Sequence, residues 1–274
     1  MKKLIFSLFL IPATFSAQKT VSRDAEIANY VSQVSADSLK SHINKLVSFG
    51  TRHTMSSTTD AKKGIGAARN WVLSKFRNYA KNSDGKMEVF LNNETILPDG
   101  KRINQATDLG NAIAILHGTD PNDKRIFMIG GHLDSRVSDV MNAKDFAPGA
   151  NDDGSGVGAV IESARILSQS KFPATIVFVA FSGEEQGLLG AKMLAEKAKN
   201  ENWQLEALLN NDMVGNNLSS ETNLINANQL RVFSEGLPQF DLDKKAQGIR
   251  NLGLENDGEA RQLARYIKEI GERY

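Results

Sequence analysis

Short apolar runs that end in acid-bearing clusters constrain this 274-residue chain more than any other feature of its sequence. Ala112–Leu116, Arg125–Ile129 and Thr175–Phe181 are rich in Ile, Val and Phe and read as strands covered on both faces. Leu205–Leu209 reads as a further strand. Between them, Gly154–Leu167 and Gln186–Ala198 have helical period. Strands alternating with helices predict an α/β fold with a mainly parallel central sheet flanked by helices. Polar clusters follow three of the strands. They are Gly130-Gly131-His132-Leu133-Asp134-Ser135, Ser182-Gly183-Glu184-Glu185-Gln186 and Asn210-Asn211-Asp212-Met213. Ligands of open α/β sheets bind at the carboxyl ends of the strands, so these clusters should meet at one rim.

The rest of the chain fits around that frame. Asp37 to about Ala80 reads as helical with a gap, because Phe49-Gly50-Thr51-Arg52 breaks the periodicity. Lys86–Leu91 resembles a short strand, and Gly258–Glu272 a helix with Ala260, Leu263, Ile267 and Ile270 on one side. Residues 1–17 place Lys2 and Lys3 before a short apolar run, then Ala13, Ser16 and Ala17, the pattern of a signal peptide. That pattern predicts export, to a secreted or periplasmic location. No later segment is long and apolar enough for a membrane span. The net charge of +1 gives no electrostatic footprint for nucleic acid.

The clusters carry the chemistry. A fourth, Gly149-Ala150-Asn151-Asp152-Asp153-Gly154-Ser155-Gly156, precedes a predicted helix. Asp153 reads there as a helix cap, while two acids and several glycines exceed what a cap needs. His132, Asp134, Asp152, Glu184, Glu185 and Asp212 would then share one edge. Carboxylates converging without a cation repel and lose hydration, and a divalent metal resolves both problems. The chain has no cysteine, so any metal must be held by His, Asp and Glu. An imidazole with carboxylates suits zinc, and manganese or cobalt fit nearly as well. One member of the Glu184–Glu185 pair would bind metal while the other takes a proton. A solvated helix start is the structural alternative for that pair.

Taken together, Gly-His-Leu-Asp-Ser, Gly-Ala-Asn-Asp-Asp-Gly-Ser-Gly, Phe-Ser-Gly-Glu-Glu-Gln-Gly and Asn-Asp-Met-Val-Gly resemble peptidase family M28, which includes bacterial secreted aminopeptidases. The resemblance implies two zinc ions, with His132, Asp152, Glu185 and Asp212 as metal ligands and Asp152 bridging. It makes Glu184 the general base and Asp134 the acid that orients His132. The implied reaction is hydrolysis of the N-terminal bond of a peptide or protein substrate by a metal-activated water. It divides the chain into a signal peptide over 1–17 and one peptidase domain over 18–274. The family places a second histidine ligand after the Asp-Met-Val-Gly cluster, and no histidine follows His132 here. The expectation is therefore a domain incomplete at its C-terminus, with strands missing and the second zinc site weakened. His42, His53 and His117 match no ligand position and read as surface or structural. Two other readings stay open: a single-zinc enzyme like glutaminyl cyclase, and a non-catalytic exported binding domain with a degraded site.

Overall fold

The computed structural model describes residues 23–218, 223–234, 244–251 and 258–274. Residues 1–17, read above as a signal peptide, lie outside the described residues. Elements in chain order are α1 (Ala25–Ser32), α2 (Ala36–Val47), α3 (Gly64–Ala80), β1 (Met87–Ile96), β2 (Thr107–Leu116), β3 (Arg125–His132), α4 (Gly154–Leu167), β4 (Thr175–Phe181), α5 (Leu189–Asn200), β5 (Gln204–Asn210), α6 (Lys244–Asn251) and α7 (Glu259–Arg273). Ser32–Arg231 form one compact unit.

Within that unit the five strands lie in the order β1-β2-β4-β3-β5. β3 pairs in parallel with both β4 and β5. β2 pairs antiparallel with both β1 and β4. Only β2 therefore runs against the others, and the sheet is mainly parallel in direction, as expected. The chain leaves β3 for β4 on one side through α4. It then returns past β3 to β5 through α5, which makes the carboxyl end of β3 the point where connections diverge.

Period-two alternation assigns the faces of the sheet. Ala112, Ala114, Leu116, Phe178 and Ala180 point into a core with Leu46 of α2, Val72 and Phe76 of α3, and Val160 and Ile161 of α4. Ile113, Ile115, Val177 and Val179 point the other way, toward Leu194 of α5. β2 and β4 are buried almost throughout, which explains their unbroken apolar runs. β5 differs: it is an edge among the described strands, and Leu205, Leu208 and Leu209 are exposed. β1 runs longer than its sequence signal, continuing through Asn92 and Asn93, because its register with β2 holds as far as Ile96–Thr107.

The gap in the first helical stretch is a built segment. Phe49 to Lys63 separates α2 from α3, and its Thr51 bridges to Ala147. The other unit comprises the described residues up to Val31 and from Val232 on. Its α7 carries two i,i+4 ion pairs on its surface, Lys268–Glu272 and Arg273–Glu269.

Candidate metal centre

His132 is the last residue of β3, and its ring is 4% exposed. Its backbone N–H donates to Asp153 Oδ2 at 2.9 Å, and its Nδ1 lies 3.1 Å from the Asp134 carbonyl oxygen. Nε2 is left pointing into the rim, 2.9 Å from Asp152 Oδ1 and 3.9 Å from Asp212 Oδ1. Donor atoms of His132, Asp152 and Asp212 all lie within 4.8 Å of one another. Three segments far apart in sequence thus meet at one point, the carboxyl end of β3.

Each ligand candidate has its own support. Asp153 is fully buried and caps α4, accepting from Gly156 N at 2.9 Å. It also accepts from Met213 N at 3.2 Å, which ties the loop after β5 to the start of α4. The cap reading of Asp153 is correct, and the same carboxylate also braces His132 and the Asp212 loop. Asn151 Oδ1 accepts from Gly215 N at 3.2 Å, a second tie between these loops. Gly156 sits where an added Cβ would collide with Asn211 O and the Asp153 carboxylate. The glycine in that cluster therefore permits a close approach of helix and loop.

Asp134 is a hub. Its carboxylate is fully buried and accepts from Glu184 N and Glu185 N at 3.1 Å each, and from Thr54 Oγ1 at 2.9 Å. Burial works against its charged form, but His132 and these donors hold its pKa below the ordinary value. The turn carrying Glu184 is further locked by Asn111 on β2, which accepts from Ser182 N at 2.9 Å and donates to Gly190 O at 2.8 Å.

Glu184 is half-buried, and its pKa is raised by that burial together with nearby Asp134, Glu185 and Asp212, with His132 opposing. Glu185 turns elsewhere: its Oε2 meets Arg136 Nε at 2.5 Å. Its backbone carbonyl accepts from Arg102 Nη1 at 2.6 Å. The structure thus brings together His132, Asp152 and Asp212, with Asp134 behind the ring. It sets the Glu185 carboxylate on a neighbouring guanidinium instead.

The donor set fits a divalent cation. It offers one imidazole and two carboxylates, with no Lys or Arg among them. Burial disfavours a charged His132, yet Asp134, Asp152 and Asp153 push its pKa up to about 11. That is the signature of a site whose field favours positive charge.

Sequence reasoning missed the supporting roles of Arg52, Thr54 and Gln186, while His53, read as surface or structural, is buried and structural. Arg52 is 1% exposed and donates to the carbonyls of Leu133 (2.7 Å), Pro148 (2.7 Å), Gly149 (2.9 Å) and Leu46 (3.3 Å). It fastens the end of β3 to the loop leading to Asp152. The only signal available was the broken periodicity at Phe49–Arg52. His42 is buried beside Ser38 and Glu162, and His117 is exposed beside Glu88, so both stay outside the centre.

Residues 111–237 match the sequence model of Peptidase family M28. Over 248 residues the chain is 43% identical to a protein of Pyrenophora tritici-repentis named "Probable zinc metalloprotease", covering 90% of this chain and 57% of that one. A Pyricularia oryzae protein of the same name is 40% identical over 249 residues, covering 90% of this chain and 49% of that one. The chain thus spans about half the length of these relatives. Among solved structures, the LapA aminopeptidase of Legionella pneumophila matches with a TM-score of 0.55 at 21% identity, over 78% of this chain and 52% of that one. Porphyromonas gingivalis glutaminyl cyclase matches with a TM-score of 0.53 at 25% identity, over 66% of this chain and 62% of that one. The matched residues, 111–237, hold most of the sheet and the loops that carry His132, Asp152, Glu184 and Asp212, and it is this part of the chain that is similar to peptidase family M28.

Proposed function

We propose that this protein is an exported, zinc-dependent peptidase that removes residues from the N-terminus of peptides, with Glu184 as general base. The observation that carries the reading is the convergence of His132, Asp152 and Asp212 at the strand ends, beside a half-buried Glu184. His132, Asp152 and Asp212 would hold the metal, and Glu185 would join the set by giving up its pairing with Arg136. Bound there, zinc supplies Lewis-acid chemistry, polarising the scissile carbonyl and acidifying water. Glu184 takes the proton from the attacking water and delivers it to the leaving amine nitrogen. Burial suits it to that exchange, because a carboxylate with a raised pKa is a better base and a usable acid near neutral pH. Asp134 holds the His132 ring from behind and anchors the Glu184 turn by its backbone, so ligand and base share one support.

The test combines metal analysis with an aminoacyl-anilide assay. Zinc should be bound, the anilide cleaved, and Glu184→Gln should keep its zinc while losing about 10²-fold or more in kcat. A Glu184→Gln variant as active as wild type would remove Glu184 from the mechanism. One zinc per chain, with cyclisation of an N-terminal glutamine and no peptide cleavage, would favour the glutaminyl cyclase reading, whose fold the chain shares. A folded chain that binds no metal would leave the non-catalytic reading standing.

A further inference from the structure

Behind Asp134, on the side away from the rim, lies a buried polar cluster that the mechanism above does not use. Thr54, His53 and Gln186 are 2%, 0% and 3% exposed. Thr54 Oγ1 is 2.9 Å from Asp134 Oδ2 and in contact with the Gln186 side-chain amide. The amide's Oε1 faces Thr54, and its Nε2 lies 3.2 Å from His53 Nε2 and 3.5 Å from Val140 O, while His53 Nε2 is also 3.0 Å from Val140 O. At the far side of the ring, His53 Nδ1 accepts from Met55 N at 3.1 Å.

Donor and acceptor bookkeeping fixes the protons. Met55 N–H can only donate, so Nδ1 is the bare nitrogen and the ring proton sits on Nε2. Nε2–H then needs acceptors: Val140 O is one, and turning the Gln186 amide over, so that Oε1 and Nε2 exchange places at the loss of the long Nε2 contact to Val140 O, supplies the other. With that oxygen turned toward His53, the amide nitrogen faces Thr54 and donates to its hydroxyl oxygen. The single Thr54 proton is then committed to Asp134 Oδ2. The opposite amide orientation fails twice, setting N–H against N–H at His53 and asking one hydroxyl proton to serve two acceptors. Buried groups left in that state cost free energy, so the ordered direction is the stable one.

We propose that His53, Gln186 and Thr54 form a unidirectional relay of hydrogen bonds that positions the Asp134 carboxylate, and through it the His132 ring and the Glu184 turn. His53 donates to Gln186, Gln186 to Thr54, and Thr54 to Asp134, each bond polarising the next. The relay joins the segment between α2 and α3 to the residue beside Glu185, so it sets the spacing between ligand and base from outside both. These are positioning residues, and none touches the rim. The proposal rests on the metallopeptidase reading for its consequence in catalysis, but not for the relay itself.

The test uses Thr54→Val and Gln186→Leu, which keep volume and remove the hydrogen bonds, with Thr54→Ser as the conservative variant. Without added metal, hydrogen exchange at the Glu184 and Glu185 amides reports directly on the Asp134 carboxylate that accepts from them. Exchange there should be roughly tenfold faster in Thr54→Val and Gln186→Leu, return toward wild type in Thr54→Ser, and leave amides in β2 unchanged. In parallel, zinc affinity by chelator competition should fall roughly tenfold in the first two variants and recover in the third, the range seen when support behind a ligating histidine is lost. Unchanged exchange in Thr54→Val would overturn the relay, as would a ¹⁵N spectrum placing the His53 proton on Nδ1. Faster exchange with unchanged zinc affinity would overturn its role in positioning the ligand. If the wild-type chain binds no zinc and cleaves no peptide, the metallopeptidase reading fails, and the exchange result still decides the relay.

Discussion

Arg52 makes the most demanding prediction, because its side chain is fully buried and its hydrogen bonds all go to backbone carbonyls. Replacing it with methionine keeps much of the apolar stem and removes four charge-assisted bonds, to Leu46, Leu133, Pro148 and Gly149. At the low end of about 1.5 kcal/mol each, they contribute about 6 kcal/mol. Against this, burial lowers the guanidinium pKa from 12.5 to about 10, even with Asp134, Asp153 and Asp152 nearby. At ~1.4 kcal/mol per unit, keeping the charge there costs about 3 kcal/mol. The net loss for Arg52→Met is therefore about 3 kcal/mol, concentrated at Leu133 O and Pro148 O. Gly149 O keeps a donor in Gly154 N at 2.9 Å, and Leu46 O keeps Phe49 N at 3.3 Å. Urea unfolding of the metal-free protein measures this as a lower midpoint with an unchanged slope. Arg52→Lys should recover only a fraction, since one ammonium cannot reach carbonyls on opposite sides of a planar fork. A loss below about 1 kcal/mol in Arg52→Met would refute the accounting, because it would mean that water or rearranged backbone satisfies those carbonyls at no cost.

Two further outcomes follow from the same contacts. Glu162 on α4 accepts from Ser35 N (2.9 Å) and Ser38 Oγ (2.8 Å) and pairs with Arg165. Burial opposes its charge, but those partners lower its pKa from 4.5 to about 2. A depressed folded pKa gives stability that is present above the unfolded value and lost as pH falls from about 4.5 toward 2. Stability measured from pH 7 down to 3 should therefore drop more steeply in wild type than in Glu162→Gln, which keeps the other depressed carboxylates, Asp134 among them; parallel curves would sink the assignment. Gly156→Ala ought to stabilise an ordinary helix interior by about 1 kcal/mol, yet here the new methyl meets Asn211 O and the Asp153 carboxylate, so the sign should reverse. Thermal unfolding decides that sign, and a variant more stable than wild type would show that helix and loop are not held as described.

The parts of this fold that were legible in the sequence are those whose residues report their own surroundings. Ile113, Val177 and Val179 are apolar because both faces of their strands are covered, so the run itself announces a buried strand. α4 was bounded to the residue by its capping aspartate and its period. The rim residues were legible for another reason: acids placed straight after buried strands have few structural uses, so their number pointed to a cation. The reversed direction of β2 was not legible, since a strand buried on both faces looks the same whichever way it runs.

The supporting residues were illegible for a reason that bears on the site itself. Thr54, Gln186 and Arg52 are ordinary polar residues whose roles depend on neighbours 80 to 132 positions away. No local period or spacing encodes such a contact, and hydrogen bonding reveals it only once the chain has folded. The same holds for Glu185, read from its motif as a ligand although its carboxylate lies on Arg136. A guanidinium at that position competes for the oxygen that a metal would need. The Glu185–Arg136 pair is therefore the point where motif and geometry diverge, while His132, Asp152 and Asp212 stand together with their supports already in place. Sequence specifies which donors reach the rim; the buried contacts behind it specify how firmly each is held there.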